Sequence, residues 1–180
     1  DFSKAPVPEK TYSASHAKLF EGTGHDCFLV FGQLDPIENI VKHNLQIRFD
    51  DISLLNAWAN SQDFFRRLSN WYLETYGEKP IDEKYEFSPG QTSAQFSANL
   101  IFLGHQEMSS VAAFYYFDPR AAREIAIGRM PNLDLVGTPV VQVKFTSLVA
   151  WSLLSQMETY VNKLLAKYPS LSNRLAVTQM

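Results

Sequence analysis

The sequence predicts an α+β domain in which a curved antiparallel β-sheet is packed by two long amphipathic helices. Two segments, at about residues 53–76 and 147–168, carry apolar side chains at helical spacing. Between them, at about residues 85–145, short runs of β-favouring residues alternate with turn residues, which is the pattern of an antiparallel meander. Helices with one apolar stripe and a sheet with an apolar face bury those surfaces against each other.

The length and composition of the chain fit a single folded domain. It has 180 residues, of which 46% are hydrophobic and 19% charged, a globular composition. We expect an extended tail over residues 1–15, where Pro6 and Pro8 interrupt any apolar period, and one α+β domain over residues 16–180. No repeat with a period of 20–50 residues is found.

The first predicted elements are two strands joined by a helical turn. Residues 27–31 are continuously apolar and follow two glycines, so they predict a strand covered on both faces. Asp35 and Pro36 suit the N-cap and first position of a short helical turn. Apolar and polar residues alternate over residues 45–49, as in a half-buried strand.

The first long helix is predicted over residues 53–76. Either Asp51 or Ser53 can cap its start, and Gly77 supplies a left-handed stop. Asn60 and Ser61 offer an alternative, in which the segment breaks into two helices and Ser61 caps the second.

Five strands are then predicted, at residues 85–87, 95–103, 110–117, 123–129 and 140–145. Their short connections favour antiparallel neighbours over parallel crossovers. As an alternative, Asp118 and Pro119 could begin a helix through the fourth of these segments.

The second long helix is predicted over residues 147–168. Thr146 or Ser147 caps its start, Lys163 and Lys167 lie near the negative end of its dipole, and Pro169 follows its end.

Charge and hydropathy exclude two classes of partner and leave the compartment open. The 16 basic and 19 acidic residues are interspersed, so no basic surface for nucleic acid is expected. Apolar runs of about five residues are far too short for a transmembrane segment. The chain begins at Asp1, and we expect that a signal peptide, an anchor, a tag or another domain preceded it. A single cysteine fits both a secreted or periplasmic location and a cytoplasmic one.

Two pairs of residues carry metal-ligand chemistry. His25 and Cys27 lie on one side of an extended segment, and His105 and Glu107 repeat the same spacing. Zinc accepts these ligand types, so the four would make one site if the pairs met. The simpler interpretation is a buried cysteine beside a surface histidine.

No cofactor is predicted. Gly22-Thr23-Gly24 resembles part of a phosphate-binding loop, but a strand and not a helix follows it, so a tight turn is favoured. The common hydrolase motifs are also absent.

Aromatic residues predict a binding surface or a two-sided core. Over residues 109–120 both faces of a strand carry aromatic rings. The residues that could line an apolar cavity between sheet and helices, or a partner surface, are Phe96, Phe102, Phe114, Tyr116 and Trp151.

Three functions compete on these observations. The missing catalytic signatures and the aromatic content favour a non-enzymatic interaction or assembly domain with a protein partner. A carrier of a small apolar molecule or lipid is the alternative. An enzyme that uses His25 or His105 with Glu107 or Asp26 as acid and base is the second alternative.

Overall fold

The computed structural model describes residues 6–81, 84–88, 93–106, 108–120 and 137–173. The strands are β1 (Thr11–Ser13), β2 (His16–Glu21), β3 (Asp26–Asp35), β4 (Ile40–Asp50), β5 (Glu86–Ser88), β6 (Ala94–Ser97), β7 (Leu100–Gln106), β8 (Ser109–Tyr116) and β9 (Thr138–Thr146). The helices are α1 (Asp51–Asn60), α2 (Gln62–Tyr76) and α3 (Ser147–Lys167), and a 3₁₀ turn follows at Pro169–Leu171.

The strands form two mixed sheets, and the α+β class is as predicted. One sheet has the order β1-β9-β8-β7, and the other has the order β2-β3-β4 with β5 and β6 placed one after the other along the outer edge of β4. Neighbours are antiparallel except at three places, since β1 is parallel to β9 and both β5 and β6 are parallel to β4.

The chain crosses from one sheet to the other at two corners. At the first, the N–H of Ala14 donates to Lys144 in one sheet, and the next N–H, of Ser15, donates to Gly32 in the other. At the second, Ala98 donates to Arg48 and the following residue, Asn99, to Tyr115. The two corners link the sheets into one curved layer that surrounds the core.

These corners belong to a structural repeat, in which β1 to β4 with α1 correspond to β6 to β9 with α3. Ser15 Oγ accepts the N–H of Leu34 at 2.8 Å, and Asn99 Oδ1 accepts the N–H of Phe117 at 2.7 Å. Each half has one irregularity in strand pairing, directly after Phe31 and directly after Phe114. The last strand of each half runs straight into its helix.

The sequence carries the same repeat at a spacing longer than 50 residues. Residues 12–15 (YSAS) correspond to residues 96–99 (FSAN), and residues 46–49 (QIRF) correspond to residues 142–145 (QVKF). The Asp-Pro pair at residues 35–36 recurs at 118–119, and in both places the aspartate accepts the N–H two residues later at 2.9 Å.

The core lies between the two sheets and beneath the helices. Phe31 contacts Phe114 and Phe145 with ring centroids 6.0 Å apart, so aromatic rings from both halves meet at its centre. The inward residues of α3, among them Leu153, Leu154 and Met157, are fully or almost fully buried. Burial of this apolar surface is the main stabilisation of the fold.

The segment predicted as one helix over residues 53–76 is two helices, which was the alternative. Ser61 lies between them with a ψ of 1°; its hydroxyl donates to the carbonyl of Ala57 and does not accept an N–H of α2 as a cap would. The cap of α1 is Asp50, which accepts the N–H of Ser53 at 2.8 Å, so neither Asp51 nor Ser53 is the cap. Gly77 ends α2 in the left-handed region, as predicted.

Other boundaries differ where local patterns are weak. Thr11–Ser13 and His16–Glu21 are strands, although alternation over these residues was not recognised. The predicted helical turn at Asp35 is present between β3 and β4: Asp35 Oδ1 accepts the N–H groups of Ile37 and Glu38, and the N–H of Asn39 donates to the carbonyl of Asp35. The single strand predicted over residues 95–103 is divided between β6 and β7 by the second corner. The predicted strand at residues 123–129 lies outside the described residues.

Candidate functional site

The larger of the two cavities described here, which we call the α3 groove, has a volume of about 640 Å³. One wall is the start of β2 and the first turns of α3, and the other wall is the end of α2 and the chain up to β5. The lining residues are Ser15, His16, Ala17, Lys18, Tyr72, Glu78, Ile81, Lys84, Tyr85, Phe87, Thr146, Leu148, Val149, Ser152 and Gln156.

Polar contacts hold the two walls of the α3 groove in place. The Gln156 side chain accepts the N–H of Leu19 at 2.9 Å and donates to the carbonyl of Ala17 at 3.1 Å. The Gln156 amide therefore makes the two hydrogen bonds that one residue of a neighbouring strand would make with β2. These bonds fix α3 against β2. On the opposite side, the rings of His16 and Tyr85 meet edge to face at 4.5 Å.

An aromatic cluster adjoins the α3 groove at Phe87. Phe87 contacts His43 at 5.5 Å and Phe20 at 6.1 Å, and the ammonium of Lys18 lies 5.0 Å from the Phe20 ring. Burial lowers the pKa of His43. No local sequence pattern predicts this cluster, because its members come from separate strands and lie together only after the sheet forms.

The smaller cavity, which we call the α3-end cavity, has a volume of about 390 Å³ and lies beside the last turns of α3. The turn between β2 and β3 and the start of α1 complete it. The lining residues are Glu21, Gly22, Thr23, His25, Asp26, Asp51, Tyr160, Lys163, Leu164, Lys167 and Tyr168.

Charged groups at the α3-end cavity are partly paired. Asp26 accepts the Nε–H of Arg48 at 2.7 Å, and this bond holds the pKa of the Asp26 carboxyl below its usual value. The hydroxyl of Tyr160 donates to Asp51, and burial together with that bond raises the pKa of Tyr160 strongly. Lys163 lies 3.3 Å from Glu21.

His25 and Cys27 lie in different environments. Cys27 is fully buried, and burial, followed by the nearby carboxylate of Asp51, raises the pKa of its thiol far above the usual value. Such a thiol is unreactive. His25 is exposed at the rim of the α3-end cavity and has a φ of 56°, in the left-handed region. Asp26, its neighbour, is held ionised by Arg48, which makes it a poor proton donor at neutral pH.

His105 lies at the other end of α3. Its Nδ1 is 2.8 Å from Ser147 Oγ, and its ring packs edge to face against Trp71 at 5.0 Å. His25 contacts Tyr168, which follows α3, so the two histidines are separated by about 30 Å, the length of a helix of this size. The structure does not bring them together.

Glu107 lies outside the described residues, so His105 is the one member of the second predicted metal-ligand pair whose position is described. Within the described ranges, no three His, Cys, Asp or Glu side chains are close enough together to hold a metal ion.

The five aromatic residues of the predicted binding surface are placed in four environments. Phe114 is buried in the core, and Phe96 and Trp151 pack against that core from its edge. Phe102 instead contacts Tyr115 at 5.3 Å. Tyr116 is exposed. None of the five lines either described cavity.

No family model, curated protein or solved structure matches the chain. Across the residues that could be described, no helix has both the length and the apolar character needed to cross a bilayer.

Proposed function

We propose that the chain is a non-enzymatic interaction domain that binds an apolar segment of a partner protein in the α3 groove. The observation that carries the proposal is exposed apolar surface at the groove and outside it. Ile81 is 72% exposed and Leu148 40% exposed on the groove walls, and Tyr76, 46% exposed, contacts the ring of the groove residue Tyr72. A ligand enclosed in the groove would leave much of this surface in water, whereas a protein partner would cover it.

The polar residues of the α3 groove support a particular chemistry for the partner segment. Lys18 and Lys84 line the groove with Glu78 as the one carboxylate among the lining residues. A segment with apolar side chains flanked by acidic ones would therefore be electrostatically complementary. The Tyr72 and Tyr85 rings offer apolar contact area and hydroxyls together, as is common at protein interfaces.

Photo-cross-linking in cells of the source organism tests this proposal. We expect a photoreactive phenylalanine analogue at Leu148 to give a discrete cross-linked protein, because a bound segment passes over that side chain. The control position is Ile37, which is 93% exposed on the turn between β3 and β4 and does not line the groove.

The same cross-link should be lost when Ile81→Asp is added, because a buried unpaired carboxylate opposes an apolar contact. Equal cross-linking at Leu148 and Ile37, or a product unaffected by Ile81→Asp, would contradict the proposal.

A small apolar ligand in the same groove is the second candidate, and the cavity volume favours it. About 640 Å³ falls within the usual range of small-molecule sites, roughly 300–1,000 Å³. Native mass spectrometry of gently purified protein should then show a bound small molecule that is lost in Leu148→Asp. A ligand-free spectrum, together with no thermal stabilisation by a panel of fatty acids and aromatic compounds, would exclude this candidate.

A further inference from the structure

The α3-end cavity has different charged groups at its buried inner end, or floor, and at its exposed outer end, or mouth. Asp26, Asp51, Tyr160 and Leu164 lie deeper, and of these only Asp51 is more than marginally exposed. Glu21, Thr23, His25, Lys163 and Lys167 are exposed at the mouth. A ligand that enters this cavity therefore meets one set of groups at its inner end and another at its outer end.

The inner end presents an incompletely paired carboxylate. Asp26 forms an ion pair with Arg48. Asp51 receives one side-chain hydrogen bond from the described part of the chain, from Tyr160 to Oδ1, and no described side chain donates to its Oδ2. The strongly raised pKa values of Cys27 and Tyr160, for each of which burial comes first and Asp51 contributes, support a negative potential here. Such a floor favours a cationic donor, since a partly buried carboxylate gains most from a charged hydrogen-bond partner.

The outer end presents cationic donors. Lys163 uses one of its three N–H groups on Glu21. Lys167 makes no ion pair with any described residue, and its ammonium lies 5.4 Å from the Tyr168 ring. These groups at the mouth suit a carboxylate.

The other half of the structural repeat fills the corresponding space with side chains. Ser147 takes the place of Asp51 as the first residue of its helix, and His105 the place of Glu21 at the end of its strand. Phe64 and Trp71 pack on His105 where Tyr160 and Lys167 line the cavity. The carboxylate floor and the lysines at the mouth are therefore properties of one half and not a necessary result of the fold.

We propose that the α3-end cavity binds a small zwitterion of the amino acid class, with an ammonium group at Asp51 and a carboxylate between Lys163 and Lys167. The left-handed backbone of His25 at the rim is consistent with a binding site, because a non-glycine residue in that region carries strain that the surrounding structure must hold.

Isothermal titration calorimetry with the free L-amino acids and glycine tests this site, with acetate and methylammonium as single-charge probes. We expect at least one amino acid to bind at least about tenfold more tightly than either single-charge probe, because only the zwitterion meets both ends of the cavity. Asp51→Asn and Lys167→Met should each weaken that binding by about tenfold or more.

Asp51→Asn keeps an acceptor for the Tyr160 hydroxyl, and Lys167 is exposed, so both variants should fold with an unchanged circular dichroism spectrum. The matched controls are Asp63→Asn and Lys144→Met, which remove exposed charges outside the cavity and should leave the affinity unchanged. Acetate that binds as tightly as the amino acids would show a simple anion site. That result, or no binding by any probe at millimolar concentration, or full binding by both cavity variants, would overturn the proposal.

Discussion

At the residue scale, the pair Asp26 and Arg48 shows how a polar group is accommodated at the edge of the core. The Asp26 side chain is only 11% exposed, and the Arg48 bond and the N–H of Gly24 compensate the loss of hydration. The glycine turn that suggested phosphate chemistry in the sequence therefore has another role. Gly22 leaves room for the Asp26 carboxylate, since a Cβ at position 22 would lie 1.8 Å from Asp26 Oδ1.

This arrangement makes part of the stability depend on pH. The pKa of Asp26 is lowered in the folded state, so its contribution is present above the unfolded value of about 4 and is lost as pH falls through the folded value. We expect Asp26→Asn to lower the free energy of unfolding at pH 7, and the difference from the parent protein to shrink below about pH 4.

Urea unfolding at pH 7 and pH 3 measures that difference. Asp63→Asn serves as the control, because the ion pairs of Asp63 with Arg66 and Arg67 are exposed on α2 and surface pairs contribute little. A loss of stability in Asp26→Asn that is the same at both pH values would argue against the ionised pair as its cause.

At the element scale, local chemistry determined which parts of the chain could be predicted. The cap at Thr146 and the stop at Gly77 were predicted because capping needs only neighbouring residues. Strand β1 was missed because its partner β9 is distant in sequence. Strand β2 was missed because its residues do not alternate between buried and exposed, although it forms a local hairpin with β3. The residues of the candidate sites could not be predicted, because each cavity is lined by side chains from several elements. No spacing in the sequence relates these side chains to one another.

The two corresponding helix caps allow a direct comparison. Asp50 accepts the N–H of Ser53 at 2.8 Å, and Thr146 accepts the N–H of Val149 at 3.4 Å. Because the first bond is shorter and its acceptor is charged, we expect Asp50→Ala to cost about 1–2 kcal/mol and Thr146→Ala about 0.5–1 kcal/mol.

Chemical denaturation of the two variants at pH 7 gives these values. The reference is Glu74→Ala, an exposed substitution within α2 that removes no helix cap. If Thr146→Ala lowered the free energy of unfolding as much as Asp50→Ala, or more, the bond lengths would not determine the strength of the caps.

At the scale of the whole molecule, the halves of the repeat are joined by shared pairing and by a shared core. β1 pairs with β9 and β6 pairs with β4, so each half contributes a strand to the other. The repeat was not found in the sequence, because insertions of different length separate its matching segments and only short stretches match. The fold class was still predictable, since helical and strand periodicities do not depend on which half a segment belongs to.

The shared core predicts one cooperative unfolding transition. In a variant with Trp58→Phe and Trp71→Phe, the remaining tryptophan, Trp151, reports on α3 and on its packing against Phe65 and Ser69 of α2. We expect its fluorescence and the far-ultraviolet circular dichroism to give the same guanidinium midpoint, because neither half keeps a complete core without the other.

The Trp151→Phe variant, which keeps Trp58 in α1 and Trp71 in α2, provides the reciprocal measurement. Two separated midpoints in either variant would show that the halves unfold independently.

The contact of Phe31 with Phe114 bears on how the sequences of the two halves can diverge. The two residues occupy equivalent positions and touch each other, so they lie at an approximate two-fold axis, as the same residue of both subunits does in an isologous dimer. In a true dimer every substitution occurs twice. In this single chain each copy varies alone, so Trp71 packs on His105 in one half while the corresponding position at Asp51 lines a charged cavity.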